Sequence, residues 1–491
     1  MFTPGSNLFD APERGGSLGL VGRQAIEPNP WMLLPFGLLL AVVAVAPMLQ
    51  PAGWARHYPK ITAGLAAITA GYYLLVLHAS ERVLQAGHEY LSFIVLIGSL
   101  FVVAGGIHLT LKGKATPGAN TLFLLLGAII SNLLGTTGAS MLLIRPWIQM
   151  NSGRVAARHI VFFIFIVSNV GGCLTPVGDP PLFLGYLEGI PFCWVAQHCW
   201  PMWAVAVGFL LALFFALDTL DYHRAPLEVR LKETGAPERW RFEGLGNVLW
   251  LLLILGTVFI NRPVCLRESL MVAAAAASYF TTKKTVHQAN HFDLHPLREV
   301  AILFAGIFVT MIPALDWLQT HAARLGQPSP ALFYWTSGAL SSLLDSAPAY
   351  LSFLNAAFGL FVPPQTVDQV QALLQSHGAL GPHDGPIWRT LQALQHYHPA
   401  VMAGGKVGPD EIRTAFLLAD NHLSAYLLAI SLGTVFFGAN TYIGNGPNFM
   451  VKAIADHQNI RVPGFLGFIF KYSLPCMGPM LVLIWLLFLR R

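Results

Sequence analysis

The fold turns on one stretch, Ser168–Gly185, which reads SNVGGCLTPVGDPPLFLG, and on its counterpart Gly438–Asn448, GANTYIGNGPN. Each follows an apolar run and then crowds Gly, Pro, Thr and Asn where a membrane helix would carry few of them. Gly172–Pro181 and Gly438–Pro447 align residue by residue, keeping Gly172/Gly438, Thr175/Thr441 and Gly178/Gly444 in step. In hydrocarbon, non-helical backbone survives only where protein or a water-filled cavity satisfies its amides and carbonyls. Paired interruptions at matching positions of two halves point to a transport site near the bilayer midplane.

Working outward, two more segments recur in the same order. Ser131–Thr136 (SNLLGT) returns as Ser341–Ser346 (SSLLDS), and Gly106, Ile107 and Thr110 return as Gly306, Ile307 and Thr310. Three ordered matches indicate an internal repeat. Apolar periodicity marks spans near 31–49, 60–78, 88–111, 159–190, 199–218, 245–262, 267–282, 297–317, 423–456 and 463–489. The segments 121–144 and 331–362 are interrupted by polar residues and read as re-entrant hairpins. Five crossings per half then force the halves into opposite orientations. The expected fold is an all-α polytopic membrane protein with about ten transmembrane helices and two re-entrant hairpins, in two inverted five-helix repeats.

The domain plan follows. Residues 1–30 form an N-terminal extramembrane segment and 31–218 the first repeat, with hairpin 121–144 and broken helix 159–190. A cytoplasmic linker covers 219–244. The second repeat is 245–489, with hairpin 331–362, extramembrane loop 363–422 and broken helix 423–456. That loop is polar and rich in Gln and His, and Val367–Leu374 and Ile387–Leu394 read as amphipathic helices. Its histidines His377, His383, His396 and His398 read as solvated rather than metal-binding.

Composition agrees. Of 491 residues 55% are hydrophobic and 11% charged, against about 25% charged in a soluble domain. Trp31–Leu49, Trp200–Leu217 and Phe465–Leu489 each approach the ~20 residues that cross a bilayer core. Basic residues gather at Arg56–Lys60, Lys112–Lys114, Arg145–Arg158, Arg224–Arg241, Lys283–Arg298 and Lys452–Arg461. The positive-inside rule makes these cytoplasmic, and the charge-poor stretches 79–90, 191–199 and 261–267 outer loops. Juxtamembrane placement argues against a nucleic-acid surface. The five cysteines show no CxxC or metal spacing; Cys193 and Cys199 share an expected outer loop, but small packing residues is the simpler reading. No HExxH, GxSxG or Walker loop accompanies the breaks, so neither an enzyme nor a primary pump is indicated.

The chemistry centres on Asp179 and Asp345, one inside a break of each half. A carboxylate at the bilayer centre costs about 2.5–3.5 kcal/mol on insertion scales and is retained where it meets a partner, a cavity or an ion. A structural carboxylate that only shapes its break is the competing reading. As a cation ligand, such a group can hold Na⁺ or H⁺ but not both well, the simplest route to exchange. Asn132, Thr136, Thr137, Asn169, Thr175 and Asp179 are expected to line the first half-site. Asp345, Ser346, Asn440, Thr441, Asn445 and Asn448 line the second, with Na⁺ held by a subset of them. The expectation is a Na⁺/H⁺ antiporter working by alternating access; the alternative is a Na⁺-coupled carrier of citrate, a dicarboxylate or another small anion. No cofactor is implied beyond the transported Na⁺ and H⁺. The partners are the lipid bilayer and small inorganic ions.

At Ser131–Leu143 and Ser168–Gly185, supported by Leu344–Leu351 and Gly438–Asn448, the chain resembles the ion transporter superfamily of citrate and dicarboxylate carriers, arsenite-efflux proteins and NhaD-type sodium/proton antiporters. The likeness spans about 30–489. It implies a fixed scaffold, a moving region of two hairpins and two broken helices, a homodimer, and a bacterial inner membrane. Dicarboxylate carriers of this group carry Ser-Asn-Thr at both hairpin tips. Here Leu133 follows Ser131-Asn132 and the second tip reads Ser341-Ser342, so the GTTG and LTPVGDPP stretches look closer to the antiporters.

Overall fold

The computed structural model describes residues 27–112, 115–224, 239–260, 265–290, 292–321, 326, 328–343, 345–375, 385–403 and 407–490. Helix dominates, because in a chain this apolar the helix is what satisfies its own backbone. The first half runs α1 (Leu34–Leu49), α2 (Pro51–Gly71), α3 (Ser80–Gly105), α4 (Pro117–Met150), α5 (Ala157–Ile166), α6 (Pro180–Leu187) and α7 (Phe192–Arg224). The second runs α8 (Asn247–Thr257), α9 (Leu266–Thr281), α10 (His295–Thr310), α11 (Ile312–His321), α12 (Pro330–Leu343) and α13 (Ser346–Phe361). It continues through α14 (Thr366–Gln375), α15 (Pro386–Tyr397), α16 (Pro409–Leu418), α17 (Asn421–Phe437), α18 (Gly446–His457) and a last helix over Phe465–Leu489. Among the described residues six helices are long and apolar enough to cross a membrane. This is an all-α membrane protein.

One of those six does not run straight. A 34-residue α4 would reach about 50 Å if straight, yet Asn120 near its start donates to Asn151 just past its end at 2.8 Å. The turning point is Gly135, at φ 74° and ψ 155°, a region that a side chain disfavours. Phe123 then stacks on Trp147 across the two arms. The chain doubles back a second time between α12 and α13, where Phe333 meets Phe353 edge-on at 5.5 Å. Both doubled-back segments coincide with the stretches read as hairpins.

Two helices stop at the stretches crowded with Gly, Pro, Thr and Asn. α5 stops at Ile166, a 3₁₀ turn covers Val170–Gly172, and α6 resumes at Pro180; α17 stops at Phe437, a 3₁₀ turn covers Gly438–Asn440, and α18 resumes at Gly446. The halves interlock, for α4 packs on α18 and α6 on α13.

Several boundaries differ from the sequence reading. Arg56–Lys60 lies inside α2, and α3 already begins at Ser80, so 79–90 is not an outer loop. Arg145 belongs to α4, and 191–199 is mostly the first turns of α7. In each case a helix carries its polar residues past the apolar run that hydropathy detects. Cys193 and Cys199 share that helix and are unpaired. Among the described residues one strand pair interrupts the all-helical plan. His108–Lys112 (β1) and Arg239–Glu243 (β2) form an antiparallel ribbon, where the expected 88–111 span has already ended at Gly105. Of the linker 219–244, residues 225–238 lie outside the described residues, as do most of 1–30 and His377 and His383. The 363–422 stretch carries α14, α15 and α16 around its own small core of Val367, Val370, Leu394, Ile412 and Ala415.

Candidate functional site

Each break is stitched by its hairpin tip, and the stitches repeat. In the first half Thr175 Oγ1 donates to the Asn132 carbonyl at 2.6 Å, and the Gly178 amide donates to Thr175 Oγ1 at 3.0 Å. In the second, Thr441 Oγ1 donates to the Ser342 carbonyl at 2.6 Å, and the Gly444 amide to Thr441 Oγ1 at 3.0 Å. A Cβ on Gly178 would sit 2.2 Å from the Gly172 carbonyl oxygen, and one on Gly444 2.6 Å from that of Gly438. Threonine and glycine are thus required at the same places in both halves for the same reason.

The asparagines finish the accounting for unwound backbone. Asn132 donates to the Gly171 carbonyl (2.7 Å) and accepts from the Leu174 amide (2.8 Å). Asn440 donates to Ser342 Oγ (3.0 Å). Asn448 donates to the carbonyls of Gly438 and Thr441 (2.9 and 2.8 Å). Trp203 on α7 also donates to Gly171 O (2.9 Å). Thus Asn132, Thr175, Asn440, Thr441 and Asn448 commit these side-chain groups to shaping the breaks.

What remains converges on Asp179, fully buried as the residue preceding α6. Its Oδ1 accepts from Thr136 Oγ1 at 2.9 Å and, from the other half, from Asn445 Nδ2 at 3.0 Å. Asn445 and Asp179 occupy equivalent positions in the two breaks, so the halves meet through this bond. Asn445 also reaches Asn169 Oδ1 (3.2 Å) and the Ser168 carbonyl (3.3 Å), while Asn169 Nδ2 donates to Asn448 Oδ1 at 2.7 Å. The second oxygen, Asp179 Oδ2, is buried without a hydrogen-bond partner among the described residues, and so is Ser346 Oγ. Buried polar atoms left unsatisfied are rare enough that each calls for a reason.

Asp345 is half-buried and caps α13, its Oδ1 accepting from the Ala347 amide at 3.2 Å. It lies within electrostatic range of Asp179. Among the described residues no Lys, Arg or His is ion-paired to either carboxylate. Three helix N-termini face this region, but each carries proline in its first turn: Pro180 and Pro181, Pro348, and Pro447. Those prolines remove amide donors that an anion would use.

Two crevices flank the centre, one per half. The first lies between α3, the Gly135 tip and the first break, and Thr136 and Thr137 are its hydroxyl-bearing lining residues. The second lies between α1, α10 and the second tip and break, with Asp345 in its wall. Sequence reasoning passed over the cross-half amide links, since they join residues 266 and 279 positions apart.

Comparison with known proteins adds one family. Residues 25–489 match the family described as "Putative citrate transport". The chain belongs to that family, and so to the citrate and ion transporter superfamily. No curated protein matches it.

Proposed function

We propose, from that membership, that this secondary transporter binds a monovalent cation at the Asp179 centre and exchanges Na⁺ for H⁺. The observation that carries the reading is the orphaned Oδ2 of a fully buried Asp179, which has no basic partner among the described residues. A charge left so in low dielectric is far more costly than one met by a cation or a proton. Asp179 Oδ2, Ser346 Oγ, Thr137 and Asp345 are all hard oxygen donors, the kind that suits Na⁺ or Li⁺. Asn132, Asn169, Thr175, Asn440, Thr441, Asn445 and Asn448 would hold the unwound backbone around them. Thr136 and Asn445 would fix the rotamer of Asp179.

In this reading the halves are inverted repeats of about five crossings each, and the doubled-back segments are re-entrant. The hairpins and breaks move against the remaining helices in a bacterial inner membrane, within a homodimer. A second reading has its own support: the family is described by citrate transport. A carrier coupling citrate or a dicarboxylate to Na⁺ would use the same cation centre, with the carboxylate ligand drawn in only once a cation offsets Asp179 and Asp345.

Proteoliposomes assayed with Na⁺, Li⁺, K⁺, citrate and succinate separate the two. Exchange reading predicts Na⁺- or Li⁺-driven proton movement without any organic anion. Citrate uptake that needs Na⁺, together with citrate raising the melting temperature, would replace exchange with the carrier reading.

A further inference from the structure

The arginines that are not exposed follow a rule with one exception. Among the described residues Arg82 is paired to Asp316, Arg154 to Asp218, Arg158 to Asp221, Arg267 to Glu268 and Arg413 to Asp410. Arg145 on α4 is half-buried. Yet among the described residues it makes no hydrogen bond or ion pair, and no acid lies within electrostatic range of it. A guanidinium taken partly out of water is retained where something negative meets it. The described chain supplies nothing of that kind.

Its surroundings indicate where a partner would enter. Past the Gly135 turn, most of the second arm of α4 is buried, with Ser140, Ile144 and Trp147 inside. Thr137, Met141, Arg145 and Gln149 recur every fourth residue, hence on one face, and form a stripe that is partly exposed and opens fully at Gln149. Thr137 lines the first crevice, and Arg145 follows it by two turns, about 12 Å along the helix. α4 also packs on the ribbon, where Lys112 stands opposite Arg239 and Thr110 opposite Arg241, which adds basic positions at that end.

We infer that Arg145 is a binding residue for a single oxyanion group, a phosphate or a carboxylate, that enters along this stripe. A guanidinium without a partner presents its donors as a planar fork that matches two oxygens of such a group. Partial burial makes the attraction stronger than it would be in water. Two sources carry that chemistry: the phosphodiester of an anionic phospholipid beside the helix, and a soluble carboxylate or phosphate. Binding depends on nothing in the transport reading above.

Thermal unfolding of the purified full-length chain in an uncharged detergent tests it. Phosphatidylglycerol, citrate and inorganic phosphate are titrated separately at constant ionic strength, with diacylglycerol as the uncharged lipid. At least one of the three anions should raise the midpoint saturably, and diacylglycerol should not. Arg145→Gln should lose that rise, and Arg145→Lys, which keeps the charge but not the fork, should keep a weaker one. Arg461→Gln, which removes an exposed cation elsewhere, should leave it whole. Gln149→Glu puts a carboxylate one turn from Arg145 on the same stripe. It should abolish the rise by supplying the missing partner, and it decides the question if Arg145→Gln fails to fold. A response to phosphatidylglycerol alone identifies the lipid as the source, and one to citrate or phosphate identifies a soluble anion. No saturable response to any of the three, an unchanged response in Arg145→Gln or Gln149→Glu, or an equal loss in Arg461→Gln overturns the proposal. The guanidinium would then only reach the aqueous interface along its own stem.

Discussion

At the scale of single residues, the structure separates groups that build the breaks from groups left over to do chemistry. Thr175 and Thr441 each donate to a tip carbonyl and accept from a glycine amide, so Thr→Val leaves the tip carbonyl unmet in either half. Either substitution should cost about 2 kcal/mol or more and lower the unfolding midpoint by similar amounts in the two halves. A loss at only one would show that the stitches are not equivalent. Gly178→Ala places a Cβ 2.2 Å from a backbone oxygen that cannot move aside; the expected result is failure of folding, seen as loss of monodisperse protein on size exclusion. These glycines and threonines were legible in the sequence because both halves repeat them. The orphaned Asp179 Oδ2 was not, since only the positions of Thr136 and Asn445 reveal that both bonds fall on the other oxygen.

Among elements, the first hairpin is fastened at its foot by buried charge. Arg154 forks onto Asp218 of α7, with one contact at 3.0 Å, and Asp218 also accepts from Asn120 at 2.9 Å and lies 3.2 Å from His159 Nε2. Arg154→Ala would strand Asp218 and should cost about 3–5 kcal/mol, while exposing Asn120 to faster hydrogen exchange. The sequence placed Arg154 only within a cytoplasmic basic stretch, because its acidic partner lies 64 residues away. The insert of α14, α15 and α16 also holds an unforeseen contact. Thr414 Oγ1 donates to the Glu188 carbonyl at 2.6 Å, and Gly189, at φ +95°, lies so close to Glu411 that a Cβ would be 2.9 Å from its Cα. Burial pushes the His398 imidazole below the ordinary 6.5. The folded insert therefore resists a proton that the unfolded chain accepts. Its stability is full above about 6.5 and falls as pH drops below it. Limited proteolysis of the insert should quicken between pH 7 and pH 5, and His398→Gln should flatten that dependence.

For the whole molecule, the doubled-back segments and breaks could be read from the sequence because Gly, Pro and Asn stand out against an apolar chain. The β1–β2 ribbon could not, since five residues at the end of an apolar run look like its continuation. How the halves grip each other was likewise hidden, for α4 on α18 and α6 on α13 are contacts between distant segments. That interlocking brings a carboxylate of the first half under an amide of the second, which makes the centre a joint property of both. The direct test is proton movement driven by a Na⁺ gradient in proteoliposomes, comparing the wild-type chain with Asp179→Asn and Asp345→Asn, each shown to be folded. Asp179→Asn is expected to fall to the level of protein-free vesicles, and Asp345→Asn to be impaired. Wild-type exchange in both variants would contradict it.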